Sequence, residues 1–142
     1  MHSKVILTDV DGVLLDWFYA FKRYVDALGI NHQREDPADW GLEEWIVDKT
    51  LSIPALIAEF NSAPIFAKLQ PIKYACASVS LLAGRGHTLH AITCSGSEKD
   101  RAKARSKNLD SLFPTALSSI TCLSLGASKE PYFLDMFAKY GQ

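Results

Sequence analysis

Cysteine is scarce in this chain: three residues in 142, Cys76, Cys94 and Cys122. Their number is odd, and no CxxC or His/Cys spacing accompanies them, so neither a zinc framework nor a disulfide scaffold is expected. Each reads as a small buried apolar residue, and a reducing cytoplasm is the simplest expected location. Long hydrophobic runs are lacking too. No apolar stretch approaches the roughly 20 residues that cross a bilayer. The opening MHSKVILTD has an apolar part too short for a secretory signal, and it runs straight into acids. The third absence is a surplus of charge of either sign. Fifteen basic against sixteen acidic residues leave a formal charge of −1, with no polybasic tail or basic stripe. Neither nucleic acid nor an anionic membrane surface is therefore an expected partner. Repeats and low-complexity segments are also absent.

What is present suits a single packed domain. Hydrophobic residues make up 48% of the chain and aromatics 11%, ample for one core at this length. Strand-like and helix-like segments alternate. Lys4–Thr8 is a short apolar strand without polar alternation, as expected when both faces are covered. Asp16 can cap a helix through Leu28, ended by Gly29. Residues 30–41 read as a polar loop. Helical stretches follow at Leu42–Thr50 and Ser52–Asn61, the second capped by Ser52 with Pro54 in its first turn. Pro71 can open a helix to Gly84. HTLHAIT (87–93) reads as a strand, SEKDRAKARSKNL (97–109) as a charged helix, SSITCLSL (118–125) as a third strand, and Ser128 opens a last helix. The pattern predicts an α/β fold, a Rossmann-like three-layer parallel sheet with right-handed crossovers. Its cleft should lie beyond the carboxyl ends of the strands. That rim would gather Asp9 and Asp11, Thr93 and Ser95, and the segment before Lys129.

The two acids pose the chemical question. At strand spacing, residues two apart point the same way, so Asp9 and Asp11 would crowd two like charges at a strand end. A hard divalent cation resolves this: Mg²⁺ takes carboxylate, carbonyl and water oxygens and shares its shell with a substrate phosphate. A carboxylate can also attack phosphorus to give an aspartyl-phosphate. Gly12 permits a sharp turn just after the pair. Thr93 closes an apolar strand ahead of the helix start at Ser97-Glu98, a place where backbone N–H groups favour an anion. Ser95 is the alternative hydroxyl, and Ser97 reads as a helix cap. Lys129 stands near a helix N-terminus, where the dipole disfavours a cation, so its placement asks for a reason. His87 and His90 read as structural; alternation puts His90 on the face opposite Thr93.

TDVDGVL (8–14) resembles the DxDGxx signature of the haloacid dehalogenase-like phosphohydrolases, and HTLHAIT and Lys129 resemble that family's second and third motifs. The resemblance spans nearly the whole chain. It implies Asp9 as nucleophile, Asp11 as general acid and base, and Mg²⁺ on the Asp9 carboxylate and the Asp11 backbone carbonyl. Thr93 and Lys129 would hold the phosphoryl oxygens, with Ser95 beside them. It further implies a core of residues 1–15 and 71–142 with a small helical cap at 16–70. DVDGVLLDWFYAF, FNSAPIFAKLQPI and AITCSG together resemble the 5′(3′)-deoxyribonucleotidase branch and its phage-type relatives. In that branch an aromatic after the first motif packs beside the nucleoside, a role for Trp17 or Phe18, although both can equally be helix core.

The family's fourth motif, an acid or acid pair ending a further strand, has no counterpart before Tyr140-Gly141-Gln142, and Asp135 falls inside a helix. Two expectations follow. Metal affinity and turnover should suffer, and Val5–Thr8 should be an apolar edge strand covered by a homodimer or higher oligomer. The leading reading is a Mg²⁺-dependent phosphomonoester hydrolase acting on a small-molecule phosphoester, with nucleoside 5′-monophosphates favoured. The alternative is a catalytically weak or truncated relative that binds a phosphorylated ligand or acts through oligomerisation. A receiver-type domain phosphorylated on aspartate is a distant third, because nothing after ITCL supplies its acid.

Overall fold

Strands β1 (Val5–Thr8), β2 (Thr88–Thr93) and β3 (Leu117–Cys122) form one parallel sheet in the order β1-β2-β3, in a computed structural model that describes residues 2–141. Register runs Val5 opposite Thr88 and Thr93 opposite Cys122, with an irregularity at Leu89/His90. β2 lies in the middle, and its residues from Leu89 to Thr93 are buried. β1 is an edge. It does not have both faces covered: none of its residues is fully buried, and Val5 is 39% exposed.

The described residues form six α-helices: α1 (Trp17–Ala27), α2 (Leu42–Trp45), α3 (Ile53–Ser62), α4 (Ala75–Gly84), α5 (Lys99–Leu112) and α6 (Glu130–Tyr140). Asp16 caps α1 through the Tyr19 N–H, and Ser52 caps α3 through the Ala55 N–H, as short polar side chains do at helix starts. Three elements are shorter than their sequence pattern suggests, and each has a backbone reason. α2 stops at Trp45 because Ile46 turns extended and pairs with His32, so part of the 30–41 loop is a short ladder. α4 starts at Ala75 because residues 71 and 72 are tied back to the β1 loop and Tyr74 adopts φ +69. β3 ends at Cys122, beyond which Leu123 donates to the Thr93 carbonyl and bends the chain toward the cleft. No helix among the described residues is long and apolar enough to cross a membrane.

The chain between Asp16 and Gln70 leaves and returns at one point. Asp16 N–H donates to Gln70 C=O at 2.8 Å, and Ile72 N–H donates to Leu14 C=O at 2.9 Å. Within it, Trp17, Phe21, Phe60, Trp45 and Phe66 pack ring on ring, including Trp17 stacked on Phe21 at 4.6 Å. This insert does not have a core of its own. Its aromatics join Leu89, Ala91, Leu109 and Phe113 in one apolar cluster. The opposite face of the sheet is thinly covered. Among the described residues only α6 lies there, touching it through Tyr140 against His90 and Tyr132 to Thr121. None of its residues is buried.

Candidate active site

The loop after β1 carries the two acids. Val10 between them is fully buried, which pins the loop and turns Asp9 and Asp11 outward. Gly12 follows at φ +78, and an added Cβ would stand 3.2 Å from the Trp40 ring. The backbone conformation favours glycine there, and an added Cβ would also press on the neighbouring indole. Asp9 Oδ1 accepts from Val10 N–H at 2.7 Å and from Lys129 Nζ at 2.7 Å. Its other oxygen makes no hydrogen bond among the described residues. Lys129 sits one residue ahead of α6, with Pro131 in that helix's first turn. Its pairing with Asp9 supplies the reason for a cation at that helix start.

Asp11 has a different partner. Arg105 Nη2 lies 2.8 Å from each carboxylate oxygen, with hydrogen-bond geometry only toward Oδ2. Arg105 is fully buried on α5. Its Nε donates to Ser95 Oγ at 3.4 Å, and its guanidinium lies 4.3 Å from the Phe66 ring centre. Burial pushes the Asp11 carboxyl above the ordinary aspartate range; the Arg105 guanidinium offsets part of this, and the Asp9 charge adds to it. Burial also weighs against the Arg105 charge, countered mainly by Asp11, and a guanidinium stays protonated regardless.

Asp9, Asp11, Thr93, Ser95, Lys129 and Trp17 all line one cleft of about 520 Å³. Thr93 and Ser95 are buried at its floor. The Ser95 hydroxyl is engaged by Arg105, and its carbonyl accepts from Asn61 Nδ2 at 3.3 Å. Ser97 does not cap α5; its hydroxyl meets Ser124 at 3.1 Å across the rim. Cys94 also lines the cleft, but burial pushes its thiol up, away from the reactive thiolate.

The aromatic expectation needs correction. Phe18 is not among the residues lining the cleft; it packs edge to face on Trp45 at 5.2 Å. Trp17 lines the cleft, yet it is 4% exposed and its Nε1 donates to Asn61 Oδ1 at 2.9 Å. The open aromatic is Trp40, which is 51% exposed, has φ +61, and lies 5.5 Å from Trp17. Leu42, Ile53, Ile57 and Leu125 complete an apolar outer wall.

Three of these residues escaped the sequence reading. Trp40 had a signal: a lone indole in an otherwise polar loop. Arg105 had a fainter one. The 97–109 helix carries too few apolar residues to cover a sheet, so polar ones must face inward, and Arg105 and Asn108 do so beside Leu109. Nothing in the sequence singles out Asn61.

The donors for a metal are limited. Among the described residues no group of three or more His, Cys, Asp or Glu gathers around one point. What the site offers is hard oxygen: the free Asp9 oxygen and the Asp11 main-chain carbonyl. This meets the minimum for Mg²⁺, which relies on one or two carboxylates plus water and substrate phosphate.

No family model matches the sequence. A 32.4 kDa uncharacterised protein from the Gp30-rIII intergenic region of Enterobacteria phage T4 is 30% identical over 147 aligned residues, covering 97% of this chain and 51% of that protein. The chain thus spans about half the length of the curated relative it matches. Among solved structures, a class C acid phosphatase from Bacillus anthracis with tungstate bound superposes with TM-score 0.57 at 14% identity, over all of this chain and 50% of the other. A HAD-hydrolase from Bacillus subtilis bound to magnesium gives 0.57 at 17%, over all of this chain and 76% of that one. A beta-phosphoglucomutase-like structure from Thermotoga maritima gives 0.54 at 17%, over 98% and 71%. With a parallel sheet, paired acids after its first strand and these neighbours, the chain has the fold of the haloacid dehalogenase-like hydrolases.

Proposed function

We propose that this chain is a Mg²⁺-dependent phosphomonoester hydrolase working through an aspartyl-phosphate. The observation that carries the reading is the separate pairing of the two acids on one cleft, Asp9 with Lys129 and Asp11 with Arg105. The free oxygen of Asp9 attacks phosphorus and the ester P–O bond breaks. The departing oxygen takes a proton from Asp11, whose raised carboxyl suits an acid. Asp11 then takes a proton from water as that water attacks phosphorus, releasing phosphate and restoring Asp9. Thr93 and Lys129 hold the phosphoryl oxygens. When bound, Mg²⁺ on the Asp9 carboxylate and Asp11 carbonyl neutralises phosphoryl charge.

Nucleoside 5′-monophosphates are the favoured substrates. Supporting this, Trp40, Leu42, Ile53 and Ile57 give the cleft an apolar outer wall beside the charged Asp9, Asp11 and Lys129, as a flat base joined to a phosphate requires. The 16–70 insert, which supplies that wall, serves as the cap. The alternative reading, a weakly active relative that binds a phosphorylated ligand, draws support from the lack of a third acid near Asp9 and Asp11 among the described residues.

The reading extends to assembly. The free edge of β1 and the exposed Phe133, Leu134, Phe137 and Tyr140 of α6 border one apolar groove. A two-fold contact with a second copy would bury that patch on both subunits at once.

The test is phosphate release from p-nitrophenyl phosphate and a nucleotide panel, with Mg²⁺ and with EDTA. Metal-dependent release that disappears in Asp9→Asn is expected. Full activity in Asp9→Asn would overturn the nucleophile assignment, and no release from any ester would favour the binding reading.

A further inference from the structure

A buried arginine is costly unless its charge is answered. Packing alone would be served on α5 by an apolar side chain, yet Arg105 is fully buried there. Its two side-chain hydrogen bonds run toward the site, to Asp11 through Nη2 and to Ser95 through Nε, the Phe66 ring lies beneath its plane, and Nη1 has no hydrogen-bond partner among the described residues. It therefore joins the loop after β1, the loop after β2 and the 3-10 turn Pro64–Lys68 of the insert. Asp11 makes no other side-chain hydrogen bond among the described residues. A carboxyl group rotates freely about its last torsion unless held, and a single nitrogen 2.8 Å from both oxygens restrains that rotation. Lys129 meanwhile holds Asp9, so each acid answers to its own cation and the two do not share one.

Resting on the proposed phosphatase reading, we infer that Arg105 is a positioning residue. It fixes the Asp11 carboxyl group where proton transfer to the leaving oxygen takes place, and acts only through Asp11.

This role has a signature that a merely structural one lacks. A p-nitrophenolate leaves without needing a proton, whereas a sugar alkoxide needs one. The experiment compares kcat/KM, which reports on steps through loss of the leaving group, for p-nitrophenyl phosphate and a nucleoside 5′-monophosphate. It uses wild type, Arg105→Met, Arg105→Lys, Asp11→Asn and the Arg105→Met/Asp11→Asn double variant. Arg105→Met should lose on the order of 100-fold on the alkyl ester, the scale of misplaced acid catalysis, and clearly less on the p-nitrophenyl ester. Arg105→Lys, which keeps the charge but not the planar fork, should recover part of the difference. The double variant should be no worse than Asp11→Asn alone. If Arg105→Met does not fold, the ratio of the two esters in Arg105→Lys carries the comparison.

Equal losses on both esters, or additive losses in the double variant, would overturn the inference while leaving the phosphatase reading in place, provided Asp11→Asn discriminates between the esters. Equal losses in Asp11→Asn itself would remove the acid assignment and this inference with it.

Discussion

Lys129 Nζ stands 2.7 Å from Asp9 Oδ1, closing 120 residues of chain into one ion pair that lines the cleft. The Asp9 side chain is 48% exposed and that of Lys129 22%, so solvent screening leaves the pair little weight in folding, about 1 kcal/mol at most. Its value should be catalytic. Lys129→Gln is expected to lower kcat by roughly 100-fold or more, the scale of a lost charge-stabilising donor, with a nearly unchanged melting temperature. Steady-state kinetics beside thermal denaturation check both halves of this.

Asn61 carries the opposite balance. It is 3% exposed and bonds the Trp17 indole with one end and the Ser95 carbonyl with the other. Asn61→Ala orphans a buried donor and a buried acceptor, and should destabilise by about 2–4 kcal/mol. Urea unfolding followed by tryptophan fluorescence would show it as a lower midpoint.

Trp40 offers a separation of binding from folding. Its ring lines the cleft while its backbone holds φ +61, a conformation glycine adopts without cost. Trp40→Gly should therefore fold at least as well as Trp40→Ala. Both should raise KM for a nucleoside monophosphate about tenfold through the lost ring contact. An unchanged KM would show that the leaving group does not reach this wall.

His90 gives a pH dependence. It is buried on the α6 face, with Nδ1 2.6 Å from Ser119 Oγ and no partner on Nε2 among the described residues. Burial, assisted by the Lys139 charge, holds its pKa below the ordinary value. The folded protein thus resists a proton that the unfolded chain accepts at about pH 6.5. The neutral ring's contribution is complete above that pH and is lost progressively as pH falls through it toward the lower folded value. Melting temperature should drop more steeply between pH 7 and pH 5 for wild type than for His90→Gln.

The apolar groove between β1 and α6 predicts association. Static light scattering at micromolar concentration should give about twice the 15.7 kDa chain mass. A charged substitution at the groove, Phe137→Glu, should return it to a monomer, since Phe137 is 72% exposed and is not among the residues of the apolar core. A monodisperse wild-type monomer would overturn the two-fold reading.

The parallel sheet and the gathering of Asp9, Thr93 and Lys129 on one cleft were legible because each depends on local signals: an apolar run, a polar stop, a helix start. What escaped depends on how elements meet. Arg105 looks like one more cation on a charged helix until the helix is rotated onto the sheet. Phe18 and Trp17 are adjacent, and only the roll of α1 sends one toward Trp45 and the other toward the cleft. α4 loses its expected first turn because residues 71 and 72 pair with a loop nearly sixty residues earlier, a contact no local pattern announces.

The two backbone bonds that fasten Asp16 to Gln70 and Ile72 to Leu14 give the molecule a socket. The chain between them enters and leaves at a single point, yet its aromatics share one apolar cluster with Leu89, Ala91, Leu109 and Phe113, so the outer wall of the cleft can be exchanged only together with the face it packs on. The exchange carries a further condition. Phe66 lies beneath the Arg105 guanidinium from inside the insert, so a substitute module must bring its own flat ring to that spot.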